Sequence, residues 1–133
     1  MISITADEAG EDEQSGVLHF NGNFVMRSSD WHLRSERATV YGSPDQPDSV
    51  LLEGSPARFL VKGTDRTDEG KVEGTALVVE YLRDVNLLVL SGDATLVLGE
   101  ETIRSSQIAY NIGTNRYQAG GVGGVLIELP PDY

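Results

Sequence analysis

The chain has 133 residues, enough for one domain with a buried core, and it is read as a single domain over 1–133. Its 21 Asp and Glu against 10 Lys and Arg leave a formal net charge of −11, which argues against nucleic acid, whose phosphates need clustered cations. No cysteine is present, so disulfides, thiolate nucleophiles and Cys-based zinc sites are excluded, and no apolar run approaches the ~18–20 residues of a membrane-spanning helix.

Short alternating strands fill the chain in order. Apolar residues sit at every second position in Ile2/Ile4, Leu18/Phe20, Phe24/Met26, Ala38/Val40, Val50/Leu52 and Ala57/Phe59/Val61. The alternation resumes through Leu77/Val79/Tyr81, Leu88/Leu90, Ala94/Leu96/Leu98, Ile108/Tyr110, Tyr117/Ala119 and Val125/Ile127. Period-two runs of this length mark half-buried strands. Stretches 76–79 and 85–90 are apolar on both faces, so their second face is covered or meets another molecule. Breaks fall at 42–48, 62–70, 111–115 and the Gly-rich 120–124, the last read as a turn or bulge before a final strand. The acidic stretch Asp7 to Gln14 reads as a solvated loop, with a short helix as the alternative. The fold class is all-β.

A motif of apolar residue, any residue, Gly and polar residue recurs at Phe20-Asn21-Gly22-Asn23, Leu52-Glu53-Gly54-Ser55 and Leu90-Ser91-Gly92-Asp93. Leu33-Arg34-Ser35 and Ile103-Arg104-Ser105 follow the first and third copies at the same distance. A period of roughly 30–40 residues of this kind is that of stacked β units. Equivalent apolar positions share one phase across the copies, which implies one inner surface, because a one-residue slip would turn a set outward.

Catalytic constellations are weak. His19 and His32 lie between apolar neighbours and point to the outer face, as surface histidines. No zinc-binding spacing accompanies them, and the serine pairs 28–29 and 105–106 sit in no nucleophile elbow. Asp65/Asp68/Glu69 and Glu100/Glu101 lack the order of a calcium loop. The sequence is therefore read as a non-enzyme with no metal and no cofactor. Trp31 is open to three roles: core anchor, ligand-stacking residue or surface contact. Tyr81, Tyr110 and Tyr117 have inward parity, with hydroxyls that seek partners near the edge of the interior.

Ile2-Ser3-Ile4-Thr5-Ala6-Asp7, Phe20-Asn21-Gly22-Asn23-Phe24-Val25, Leu33-Arg34-Ser35-Glu36-Arg37-Ala38 and Gly54-Ser55-Pro56-Ala57-Arg58-Phe59 follow one another along the chain. Taken in that order, they resemble the LptA/OstA-like family of periplasmic lipopolysaccharide-transport proteins. Val72-Glu73-Gly74-Thr75-Ala76, Val89-Leu90-Ser91-Gly92-Asp93-Ala94 and Ile103-Arg104-Ser105-Ser106-Gln107-Ile108 continue the match over nearly the whole chain. The resemblance implies a twisted, partly open β-jelly roll, a folded-over antiparallel sheet with a hydrophobic groove. It also implies a periplasmic bridge that carries lipopolysaccharide, acyl chains inside, between LptC-like and LptD-like partners, with head-to-tail self-association. The chain is then expected to be a mature form whose leader has been removed, with a C-terminal edge shorter than that of many relatives.

Parity and the family pattern together line the expected groove with Ile4, Phe20, Phe24, Met26, Leu33, Phe59, Val61, Leu77, Val79, Tyr81, Leu90, Leu96, Ile108 and Tyr110. Plain core packing would read the same. The edge strands expected to meet partners are Ile2, Ser3, Ile4 and Thr5 at one end and Val125, Leu126, Ile127, Glu128 and Leu129 at the other. Arg27, Arg34, Arg58, Lys62 and Arg104 supply local cations for a phosphorylated lipid in an otherwise acidic chain. The alternative function is an adaptor domain that pairs through its edges and holds no lipid.

Overall fold

A single antiparallel sheet carries the chain in the computed structural model, which describes residues 2–43, 46–61 and 72–129. Nine strands belong to it among the described residues: β1 (Ser3–Thr5), β2 (Glu8–Glu11), β3 (Leu18–Arg27), β4 (Trp31–Ser43), β5 (Gln46–Val61), β6 (Val72–Leu82), β7 (Leu87–Leu98), β8 (Glu101–Asn111) and β9 (Arg116–Glu128). From β3 to β9 each strand pairs with the next in sequence, while β1 and β2 both lie along the free edge of β3. The described strands do not pair β9 with β1 or β2, so the sheet keeps two open edges.

One transverse crease crosses the sheet. Every pairing from β3–β4 to β8–β9 shifts register near mid-strand, at Asn21/Phe24, Arg34/Arg37, Glu53/Ala57, Thr75/Val78, Ser91/Ala94 and Ser105/Gln107. The recurring glycine motif is the odd strands' half of this crease. Gly22-Asn23 and Gly92-Asp93 adopt the same left-handed pair of conformations, φ 83° then 48° in both. Glycine enters that region without the Cβ clash of other residues, and Asn and Asp tolerate it best among the rest.

In β4, β6 and β8 the crease inserts one extra residue. Inward positions run Leu33, Ser35, then Ala38, Val40; in β6 they run Val72, Gly74, Ala76, then Val79. In β8 they run Ile103, Ser105, then Ile108, Tyr110. Such a bulge reverses which face a given parity occupies. The expected inward run Leu77/Val79/Tyr81 is corrected on this ground: Leu77 occupies the bulge, faces out, and is 45% exposed.

Ser35 and Ser105 mark the crease from inside. The Ser35 hydroxyl donates to the Arg37 carbonyl at 2.7 Å, and that of Ser105 donates to the Gly120 carbonyl at 2.8 Å. Each satisfies a backbone acceptor that the interrupted ladder leaves, which accounts for a buried serine at the same place in two repeats.

The crease divides the sheet into two arms folded over one core. Arm one holds 24–27, 31–35, 57–61, 72–76, 94–98, 101–105 and 125–128; arm two holds 18–21, 37–43, 46–53, 78–82, 87–91, 107–111 and 116–120. Phe24, Phe59 and Leu96 of arm one and Val79, Leu90 and Ile108 of arm two are wholly buried between them. The arms approach closely at Gly74, where the Phe59 ring and the Leu90 side chain occupy the space a Cβ would need.

Two local readings change. Glu8–Glu11 is neither loop nor helix but strand β2, held by pairing with 18–21 of β3. The break at 42–48 contracts, since β4 runs to Ser43 and β5 starts at Gln46. The Gly-rich 120–124 is the bulge of β9, while the break at 62–70 lies outside the described residues.

Candidate functional site

The arms part at their free rims, opposite the crease, and leave a cavity of about 280 Å³. Arm one supplies Met26, Trp31, Leu33 and Val61; arm two supplies Val50, Tyr81, Leu88 and Pro47, with Ile112 from the turn beyond β8 and Ile2 from the N-terminal edge. Gln46, Arg83 and Asn86 are the polar part of the lining. Arg83, which opens a one-turn 3-10 helix (Arg83–Val85), donates to Asp48 at 2.7 Å. The Ile112 N–H donates to the Asn86 carbonyl at 2.8 Å, tying the 83–86 turn to the next one. The walls are mostly apolar, and of the polar groups Arg83 is tied to Asp48 through one guanidinium nitrogen while its Nε is buried without a partner among the described residues. Such walls suit the hydrocarbon part of an amphiphile.

Two of the three inward tyrosines have hydroxyl partners. Tyr110 donates to Asn115 Oδ1 at 2.6 Å, and burial pushes its pKa up. Tyr117 on arm two donates to Glu101 Oε2 on arm one at 3.2 Å, so it links the arms near the C-terminal edge. Burial first, then the Glu101 charge and hydrogen bond, raise the Tyr117 pKa.

His19 is exposed, as read; His32 is half-buried on the outer face of arm one, opposite Arg27 and Leu60. Its Nε2 is buried without a hydrogen-bond partner. Desolvation, then Arg27 and Arg34, lower its pKa. Among the described residues no cluster of three His, Asp or Glu is placed to hold a metal.

The fourteen residues expected to line a groove divide by position. Met26, Leu33, Val61 and Tyr81 line the cavity. Phe24, Phe59, Val79, Leu90, Leu96, Ile108 and Tyr110 face inward within a closed core, and Ile4 and Phe20 pack half-buried against it. Leu77 faces outward. The expectation omits Val50 and Leu88, although both belong to alternating runs. It omits Pro47, Asn86 and Ile112 because a period-two pattern carries no signal where the chain turns. Trp31, left open between three roles, is half-buried at the cavity.

The two edges differ. At the N-terminal edge Ser3, Ile4 and Thr5 pair with Arg27, Met26 and Val25, while Ile2 joins the cavity lining. At the C-terminal edge Val125 and Ile127 lie opposite the buried Ser105 and Ile103 of β8. They are nevertheless exposed, as are Leu126, Glu128 and Leu129. The apolar inner face therefore runs to an uncovered edge, where free backbone groups are open to pairing.

A family model described as LptA/(LptD N-terminal domain) LPS transport protein matches residues 3–116. The chain belongs to this family. Lipopolysaccharide export system protein LptA of Escherichia coli (strain K12) is 26% identical over 121 residues, which cover 89% of this chain and 63% of that protein. Lipopolysaccharide export system protein LptH of Pseudomonas aeruginosa is 25% identical over 130 residues, 97% of this chain and 73% of that one. The chain thus spans 63% of the length of the E. coli relatives. A crystal structure of LptH from P. aeruginosa, described as the LptA homologous periplasmic component of a lipopolysaccharide transport device, superposes with a TM-score of 0.87. It covers 98% of this chain and 96% of that one at 21% identity, and so it shares the fold. The partly open β-jelly roll is thus shared with a solved LptA homologue, and the family is described by transport rather than by a reaction.

Proposed function

We propose that this chain is a periplasmic lipopolysaccharide-binding module that passes the lipid between membranes, with acyl chains held between its two arms. The observation that carries the reading is the apolar cavity between the rims, in a chain of the lipopolysaccharide-transport family. At about 280 Å³ it falls just below the ~300–1,000 Å³ of ligand cavities. It admits part of a lipid as it stands, and more when the rims separate. The uncovered β9 edge and the β1/β2 edge would receive LptC-like and LptD-like neighbours, or further copies, by strand addition.

Trp31 offers a direct test, because it is the chain's single tryptophan and it lines the cavity. Titration with purified lipopolysaccharide should change its fluorescence saturably, whereas the delipidated core oligosaccharide should not. No change, together with no co-elution of lipid, would refute lipid carriage. A second reading, an edge-pairing adaptor without lipid, draws on the closed packing of Phe24, Phe59 and Leu90. It predicts concentration-dependent association by light scattering with a silent Trp31.

A further inference from the structure

Arginines on the outer face of arm one are arranged as no net charge of −11 would suggest. Arg34 on β4 lies directly opposite Arg58 on β5, and Arg27 on β3 lies directly opposite His32, two residues along β4 from Arg34. These four outward side chains form one patch two rows deep, the rows ~7 Å apart. Like charges placed directly across a pair of strands destabilise it. Arg37, Arg83 and Arg104 each have a carboxylate partner, Glu53, Asp48 and Glu128 in turn. Among the described residues Arg27, Arg34 and Arg58 have none. Asp30, Glu73 and Glu36 (which lies two residues along β4 from Arg34) are the nearest acids by register, and among the described residues none forms an ion pair with the patch.

The patch adjoins the cavity. Trp31 lines the apolar space between the arms and also a hollow on the outside, shared with Arg27, Ser28, Ser29, Asp30, His32 and Leu60. An amphiphile with its chains between the arms would therefore bring its headgroup to the lip where the cations begin. Arginine presents several N–H donors in a planar fork that suits phosphate oxygens, and the orphaned His32 Nε2 adds an unused polar atom.

We propose that Arg27, His32, Arg34 and Arg58 form an anion subsite that holds a phosphate of the cargo lipid's headgroup on the outer face of arm one. This rests on the lipid-carrying reading above. It gives the acidic chain a local way to accept a phosphorylated ligand, and it gives the Arg34–Arg58 juxtaposition a function.

The test measures affinity of the full chain for a bisphosphorylated lipid A and for its dephosphorylated form with the same acyl chains. The wild type should prefer the phosphorylated lipid by roughly tenfold or more, a preference that added salt diminishes. In Arg34→Gln/Arg58→Gln the preference should fall to near one, while Arg116→Gln, at the far end of β9, should keep it. Relief of like-charge repulsion should keep the double variant at least as heat-stable as wild type, so loss of preference would not reflect unfolding. Equal binding of the two lipids by wild type overturns the subsite and leaves lipid carriage intact. Binding of neither lipid overturns both. Displacement of the phosphorylated lipid by millimolar inorganic phosphate alone would reassign the patch to free phosphate. Retention of the protein on phosphatidylglycerol vesicles, lost in the double variant, would reassign it to a membrane surface.

Discussion

Replacing Gly74 with alanine should prise at the seam between the arms. A Cβ built there would lie 2.6 Å from Phe59 Cζ and 2.8 Å from Leu90 Cδ2, against the ~3.5–4.0 Å at which carbons rest. Both neighbours are wholly buried, so neither ring nor methyl can swing into solvent. Overpacking of this kind costs ~1–3 kcal/mol. Phe59→Ala alone should cost ~3–5 kcal/mol through lost burial and the cavity it leaves. In that background the ring is gone and Leu90, the remaining close neighbour, can shift into the space it leaves, so relief of glycine's backbone entropy should make the substitution neutral or favourable by up to ~1 kcal/mol. The double variant should therefore be more stable than the sum of the single losses by about 1–4 kcal/mol. Urea unfolding of all four proteins, followed by circular dichroism with the slope held in common, measures that coupling. Additivity within ~0.5 kcal/mol would show that the Phe59 ring does not fill the space beside Gly74.

The bulge in β6 predicts opposite outcomes at neighbouring positions: Leu77→Lys should change stability by under ~1 kcal/mol, while Val79→Lys should prevent folding, as thermal melts would show. Equal damage at both would put Leu77 back on the inner face. Gly22→Ala should cost ~1–2 kcal/mol, because its φ of 83° disfavours a Cβ and the Asp7 side chain stands within 3.0 Å of where that Cβ would go. His32 should give a pH signature. Its lowered pKa means the unfolded chain binds the extra proton first, so stability should fall as pH drops below ~6.5 and level off once the folded form protonates too. His32→Gln should flatten that step in melts taken from pH 8 to 5; an unchanged step would assign it to another group.

Alternation made the all-β class and the inner face readable, because each strand is half-buried and its pattern is local. The crease was legible only in part. Its glycine half shows as a repeated motif, since Gly22 and Gly92 need a backbone few residues adopt. Its other half, the extra residue in β4, β6 and β8, shows no fixed composition, and Leu77 was misplaced by a parity carried straight through it. Strand β2 was missed because Glu-Ala-Gly-Glu has no apolar alternation and is a strand only through its pairing with β3. The cavity was least legible. Phe24 and Leu33 follow the same pattern, yet one lies deep in the core and the other lines the space between the rims. What separates them is the distance between arms, which no local pattern encodes.

Lipid held between the arms should distinguish two adjacent residues of β6. Tyr81 lines the cavity, whereas Glu80 projects from the outer face of the same strand, between Leu51 and Val89. With a photo-reactive side chain at one position or the other, irradiation in the presence of lipopolysaccharide should give a lipid-bearing adduct at position 81 and little at 80. Equal labelling at the two positions, or labelling at 80 alone, would contradict the account.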